Sequence, residues 1–167
     1  MPLWKRLGFL FVFVVPALMP AAAWLGARSG HPDLMAWFPL FFLFVLLPIA
    51  DYSLGHDPQN PSPDEAKALE TDHWFRWMTL AALPAQLGVL IWSGWHFVHA
   101  GFDATGIVGW LLSQGIVGGV LAINVAHELI HKDTALERAA GGLLLTSVGY
   151  HGFKIEHVSG HHVHVST

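Results

Sequence analysis

Five histidines in two short boxes have the spacing to do chemistry. The first box is His127-Glu128-Leu129-Ile130-His131 and the second is Glu156-His157-Val158-Ser159-Gly160-His161-His162. On a helix, positions i and i+4 share a face, with Cβ atoms about 5–6 Å apart, so His127 and His131 can reach one metal ion. His157 and His161 repeat that spacing. His162 follows at the next position, rotated by about 100°, which suits a second ion better than the first. Neutral imidazole is a ligand for iron, zinc, copper or nickel. The first box also matches H-E-x-x-H, in which Glu128 would act as the general base of a zinc protease. A membrane zinc metalloprotease is therefore a rival reading. Against it stands the surplus of ligands, since a catalytic zinc takes three protein ligands and five spaced histidines overfill it.

The remaining histidines read differently. His31, His56, His73, His96 and His99 lie at helix ends or in loops without ligand spacing, as hydrogen-bonded polar residues do. Glu128 and Glu156 each precede a box histidine. They are either acceptors that fix imidazole tautomers or salt-bridge partners of Lys132 and Lys154. Histidine occurs 12 times against 8 for Lys plus Arg, and seven of the 12 lie in the last 41 of 167 residues. With no cysteine, disulfides, thiolate zinc sites and cysteine-ligated iron–sulfur clusters are excluded. The net charge of −4 offers no electrostatic case for nucleic acid.

The elements that must position these boxes are membrane helices. Apolar residues make up 53% and charged residues 12% of the chain, half the charge of an ordinary soluble domain, and the mean hydropathy is +0.48. Four stretches carry no Asp, Glu, Lys or Arg: Leu7–Ala27, Leu34–Ala50, Trp77–Phe102 and Ala104–His127. A bilayer core takes about 17–25 residues of helix. The pattern predicts an all-α, polytopic membrane bundle of four spans. The second and shortest borrows length from Tyr52–Leu54. The first exceeds a signal-peptide core and lacks a clear cleavage site, so it is expected to be retained. With a cytoplasmic N-terminus, Lys5, Arg6, Lys67, Arg76, Lys132, Arg138 and Lys154 fall inside and Arg28 alone outside, a positive-inside pattern that also places both boxes in the cytoplasm. Residues 51–72 form the one long polar connection. Its prolines at 58, 61 and 63 give way to a short helix from Ser62–Glu65 through Glu70. After Asp133-Thr134 a further helix is expected to about Tyr150, too short to span and so interfacial or buried in the bundle. The 167 residues read as a single membrane-embedded domain.

HELIHK at 127–132, followed by IEHVSGHH at 155–162, resembles the integral-membrane alkane hydroxylases, or alkane 1-monooxygenases. These are relatives of xylene monooxygenases and membrane fatty acid desaturases. The loop Asp51–Pro61, with D-x-x-L-G-x-D-x-x-N-P spacing, is similar to the family's loop after its second span. The resemblance runs from about residue 35 to the end. H-x-x-x-H-H fits the hydroxylase branch, because desaturases usually show H-x-x-H-H. The resemblance implies a six-helix bundle and a non-haem diiron centre with His127, His131, His157, His161 and His162 as ligands. It implies O2 as co-substrate, with rubredoxin and an NADH-dependent rubredoxin reductase as electron donors. A hydrophobic substrate would arrive from the lipid and be hydroxylated at a terminal C–H, in the inner membrane of a bacterium. Later family histidine segments are absent, so the sequence is expected to be an N-terminal fragment with four of six spans, inactive alone. A non-catalytic metal-binding remnant is the third reading. Tyr150-His151-Gly152-Phe153 stands where close relatives often have Y-G-H-F, and His151 and His164 stay outside the ligand set. Phe38, Phe41, Phe42 and Phe44 either line a lipid-side channel or simply pack.

Overall fold

The computed structural model describes residues 3–55, 62, 69 and 72–157. Among them there are helices and turns but no strand. Four helices are long and apolar enough to cross a membrane: α1 (Arg6–Ser29), α2 (Pro32–Leu54), α3 (His73–His99) and α4 (Ala104–Ile130). At 1.5 Å per residue, the 27-residue α3 and α4 reach about 40 Å, more than the roughly 30 Å of a hydrocarbon core. The expected all-α polytopic bundle is the observed one. α2 does extend past Asp51 to Leu54, as its short apolar run requires. The expected short helix at residues 62–70 falls largely outside the described residues.

Local sequence explains the helix ends and irregularities. α1 passes through a 3-10 turn over Phe9–Phe13 and stops at Gly30, whose left-handed φ of 75° lets its N–H bond Gly26 O. Pro32 then begins α2. Within α2, Phe42–Leu46 is a π-turn in which Leu47 N–H reaches back to Phe42 O. Pro48 follows at once. Its ring would crowd Phe44 O in a regular helix, and the wider turn relieves this. Asp72 caps α3 through Trp74 N–H, and Asp103 caps α4 through the N–H groups of Thr105 and Gly106. At that end of the bundle Asp33 accepts Asp103 N–H at 2.8 Å, and Ser113 Oγ donates to Ala36 O at 2.7 Å. These bonds tie the start of α2 to α4.

The core has two parts. One packs α1, α3 and α4 through residues such as Leu18, Met19, Ala82, Trp110, Val117 and Leu121. The other packs α4 against α5 (Ala135–Ser147) through Ala126, Leu129, Ile130, Ala140, Leu144 and Leu145. α5 is the expected helix after Thr134, and it is the bundle-buried form. Gly141 rests on Ala126 and Leu129, while Val148 lies beside Gly118. α5 therefore runs antiparallel to α4 and retraces it from Ile130 to Gly118, about 18 Å, to the middle of the span. Gly149, with φ of 71°, turns the chain. The short α6 (Phe153–Ile155) begins the way back. α5 and this return limb form a hairpin inside the bundle.

At membrane depth such a turn must satisfy its own backbone. The N–H groups of Val148, Gly149 and Tyr150 bond the carbonyls of Leu145, Thr146 and Leu145, and Glu156 N–H bonds Gly152 O. The fully buried Gln86 of α3 donates to Ser147 Oγ at the hairpin tip.

Candidate metal centre

Box one occupies the last turn of α4 and its C-terminal cap, His131. His127 and His131 lie on one face, with ring centroids 5.0 Å apart. The return limb of the hairpin carries His157 to the same place. His157 Nε2 is 2.8 Å from His127 Nε2 and 3.1 Å from His131 Nε2. The three ligand atoms lie within 4.8 Å of one another, as a group that could hold a metal ion. A neutral imidazole has one donor and one acceptor nitrogen. Three rings that turn the same nitrogen toward a common point cannot all satisfy it from one another. A cation at that point accepts a lone pair from each, so the donor set fits a metal of the imidazole-binding kind. His127 and His131 are exposed and His157 half-buried, which leaves one side open to further ligands. His161 and His162, the other two histidines of the expected set, lie outside the described residues, as does His164.

Four features hold the hairpin so that His157 arrives there. Thr134 caps α5 by accepting Glu137 N–H, and its hydroxyl donates to Glu137 Oε2. The Glu137 side chain is 7% exposed, and its other oxygen faces Arg76 Nε of α3 at 3.5 Å. Arg138 Nη1 donates to the carbonyls of Lys132 and Asp133, closing the end of α4. Lys154 on the return limb reaches to Arg138 O with Nζ at 3.3 Å, a long side chain carrying its charge toward the end of the bundle.

The two glutamates fall apart. Glu128 forms an ion pair with Lys132 one turn on and is half exposed. It lines a cavity of about 660 Å³ with Asp72, Arg76, Thr134 and Glu137. His127 and His157 instead line a separate cavity of about 420 Å³, with Tyr150, Phe153 and Glu156. Glu128 thus takes the salt-bridge alternative, and its pairing weighs against a general base facing a zinc-bound water. Glu156 keeps company with the histidines. His151 is exposed and is not in the three-histidine group.

Tyr150 and Phe153, known from the sequence only as part of the Y-H-G-F stretch, prove to be neighbours of the histidines. Both rings stack toward His157: Tyr150 on Phe153 at 5.1 Å and 29°, and Phe153 on His157 at 4.8 Å and 17°. The signal was the aromatic, aromatic, histidine order at 150, 153 and 157, an i, i+3, i+7 face. Sequence reasoning passed over the Arg76–Glu137 pair, for which Thr134-x-x-Glu137, a capping-box spacing, was the only local sign.

Comparison with known proteins adds the following. No protein-family model matches the chain. Alkane 1-monooxygenase 2 of Alcanivorax borkumensis is 45% identical over 165 residues, 98% of this chain and 43% of that protein. Alkane 1-monooxygenase 2 of Pseudomonas aeruginosa is 44% identical over 165 residues, again 98% of this chain and 44% of that protein. Alkane 1-monooxygenase 1 of the same organism is 42% identical over 165 residues, 98% of this chain and 43% of that protein. The chain spans less than half the length of these curated relatives.

Proposed function

We propose, from the premise that over the residues it shares with those relatives the chain belongs to the alkane 1-monooxygenase family, that it supplies part of a membrane monooxygenase that hydroxylates a terminal C–H of alkanes or similar hydrocarbon chains. The observation that carries this reading is the convergence of His127, His131 and His157 at the end of α4. An unactivated C–H bond offers no acidic or basic handle, so side chains alone cannot cleave it and a redox metal is required. Two non-haem irons, held by these three histidines with His161 and His162, would supply the reduction of O2 and the oxidation of the C–H bond.

The chain's own residues do the positioning. The i, i+4 pair in α4 sets two imidazoles on a rigid helix end. The buried hairpin sets the third against them. Apolar spans around the site admit a hydrocarbon from the lipid and exclude water from most of its length. Arg6, Arg76, Lys132 and Arg138 gather at the histidine end, with Arg6 bonded to Asp72 and Arg76 facing Glu137, whereas Arg28 stacks on Trp24 toward the other end. This distribution supports a cytoplasmic histidine end, and we place that end in the inner membrane of a bacterium, as the bacterial sources of the relatives suggest. That end is also where soluble electron donors, rubredoxin and its NADH-dependent reductase, would deliver electrons.

The test is metal and product analysis of the full-length enzyme that contains this chain, purified from membranes and supplied with O2, NADH, rubredoxin and rubredoxin reductase. About two irons per chain and conversion of an octane-like substrate to its primary alcohol are expected. A single zinc with no hydroxylation would overturn the reading.

A further inference from the structure

We infer that Phe153 is a positioning residue for His157, fixing the plane of its imidazole so that Nε2 meets those of His127 and His131. The inference rests on the proposed metal centre and extends it to a residue that has no ligand atom of its own.

His157 sits on the return limb of the hairpin, whose backbone alone leaves both side-chain torsions of the imidazole open. Rotation about the Cβ–Cγ bond would sweep Nε2 away from the other two nitrogens. Phe153 lies one turn earlier on the same face, and its ring is nearly parallel to that of His157, 17° apart at 4.8 Å between centroids. A flat neighbour at that separation leaves one ring plane available and directs the imidazole edge, where Nε2 lies, outward past the stack. That edge is the one 2.8 Å and 3.1 Å from the partner nitrogens. Phe153 also meets the His127 ring at 6.2 Å, so one side chain touches two of the three rings.

Phe153 is itself held. It packs against the buried cluster of Ala126, Leu129, Leu144 and Leu145 between α4 and α5. Tyr150 stacks on it as well, with centroids 5.1 Å apart. The order is therefore a packed core, a half-buried phenyl ring locked by that core, and an imidazole locked by the phenyl ring. Ordering a ligand before the metal arrives removes a cost from binding. The effect should be comparable to that of an outer-shell partner, at the low end of the tenfold to hundredfold range.

A simple packing role predicts something different. If Phe153 only fills volume, a branched aliphatic side chain would serve as well. If it works through its flat face, only another aromatic ring will. The experiment uses the protein purified from membranes and loaded with Co²⁺ alone. Its visible ligand-field spectrum and its rate of metal loss to an excess of chelator are read for Phe153→Tyr, Phe153→Leu and His157→Ala. Phe153→Tyr should match the parent protein in both. Phe153→Leu should keep its helical circular dichroism yet release the metal about tenfold faster, with an altered spectrum. Parent-like release from Phe153→Leu, while His157→Ala loses the metal, would overturn the positioning role and leave the centre standing. Parent-like release from His157→Ala would overturn the centre itself, and this inference with it.

Discussion

The two ends of the bundle use the same residue types for opposite purposes. At the end carrying Gly101, His96 lies among aromatic rings, 4.7 Å from Trp110, 5.3 Å from Trp92 and 5.9 Å from Phe102. Nearby, His99 stacks on Trp95 and its Nδ1 meets Trp95 O at 2.7 Å. At the other end, His127, His131 and His157 turn their Nε2 atoms toward one another, and the aromatic rings lie behind them. In the first case imidazole faces are packed. In the second its edges are aimed, and the faces are left to Phe153. Histidine content does not distinguish the ends. What does is whether a second chain segment returns to the same place with a histidine on it, and only the hairpin after α4 does this among the described residues.

That contrast can be broken most severely at the histidine end. In the full-length enzyme that contains this chain, His157→Ala should remove iron and lower hydroxylation by more than the roughly 100-fold that loss of an outer-shell partner costs. His96→Phe should leave both unchanged. If both variants lose iron equally, the ends are not different in kind. A smaller effect is expected from Gly141→Val. A Cβ at 141 would already stand 2.9 Å from Ile130 Cγ2 and 3.1 Å from Ala126 O. Forcing α5 off α4 should cost about 1–3 kcal/mol. Thermal inactivation should come several degrees earlier, with iron lost before helicity, because the hairpin carries His157.

Thr134→Ala removes the cap of α5 and the hydroxyl bonded to Glu137, for about 1 kcal/mol. The same scan should show a modest drop in midpoint and faster iron release. Ser113→Ala at the opposite joint removes one buried bond to Ala36 O, also about 1 kcal/mol. There the midpoint should fall while the iron-release rate stays at the parent value. This last pair sharpens the comparison. Equal stability losses at the two ends should be unequal in metal retention.

The spans were legible in the sequence because membrane helices declare themselves by uninterrupted apolar length, and even the overrun of α2 past Asp51 followed from its shortness. The i, i+4 histidines were legible because helix geometry is local. The depth of α5 was open between two alternatives. Its 13 residues do not span, and what buries it is long-range packing of Gly141 and Val148 on α4, which no window of sequence encodes. The Glu128 pairing was similarly undecided until Lys132 was placed beside it. The stack of Phe153 on His157 went unread because aromatic residues are common in membrane chains, and such a contact shows only once the return limb has a position. The Arg76–Glu137 pair joins residues 61 positions apart across two helices, beyond any local rule.

The hairpin after α4 brings a third imidazole, His157, to the two of box one, as a group that could hold a metal ion. X-ray absorption at the iron edge of the membrane-purified protein, compared with His157→Ala reloaded with iron, tests that arrangement most directly. Histidine nitrogen scattering is expected in the parent, and a loss of one imidazole contribution, with lower iron occupancy, in the variant. Identical spectra and occupancy in the two proteins would contradict it.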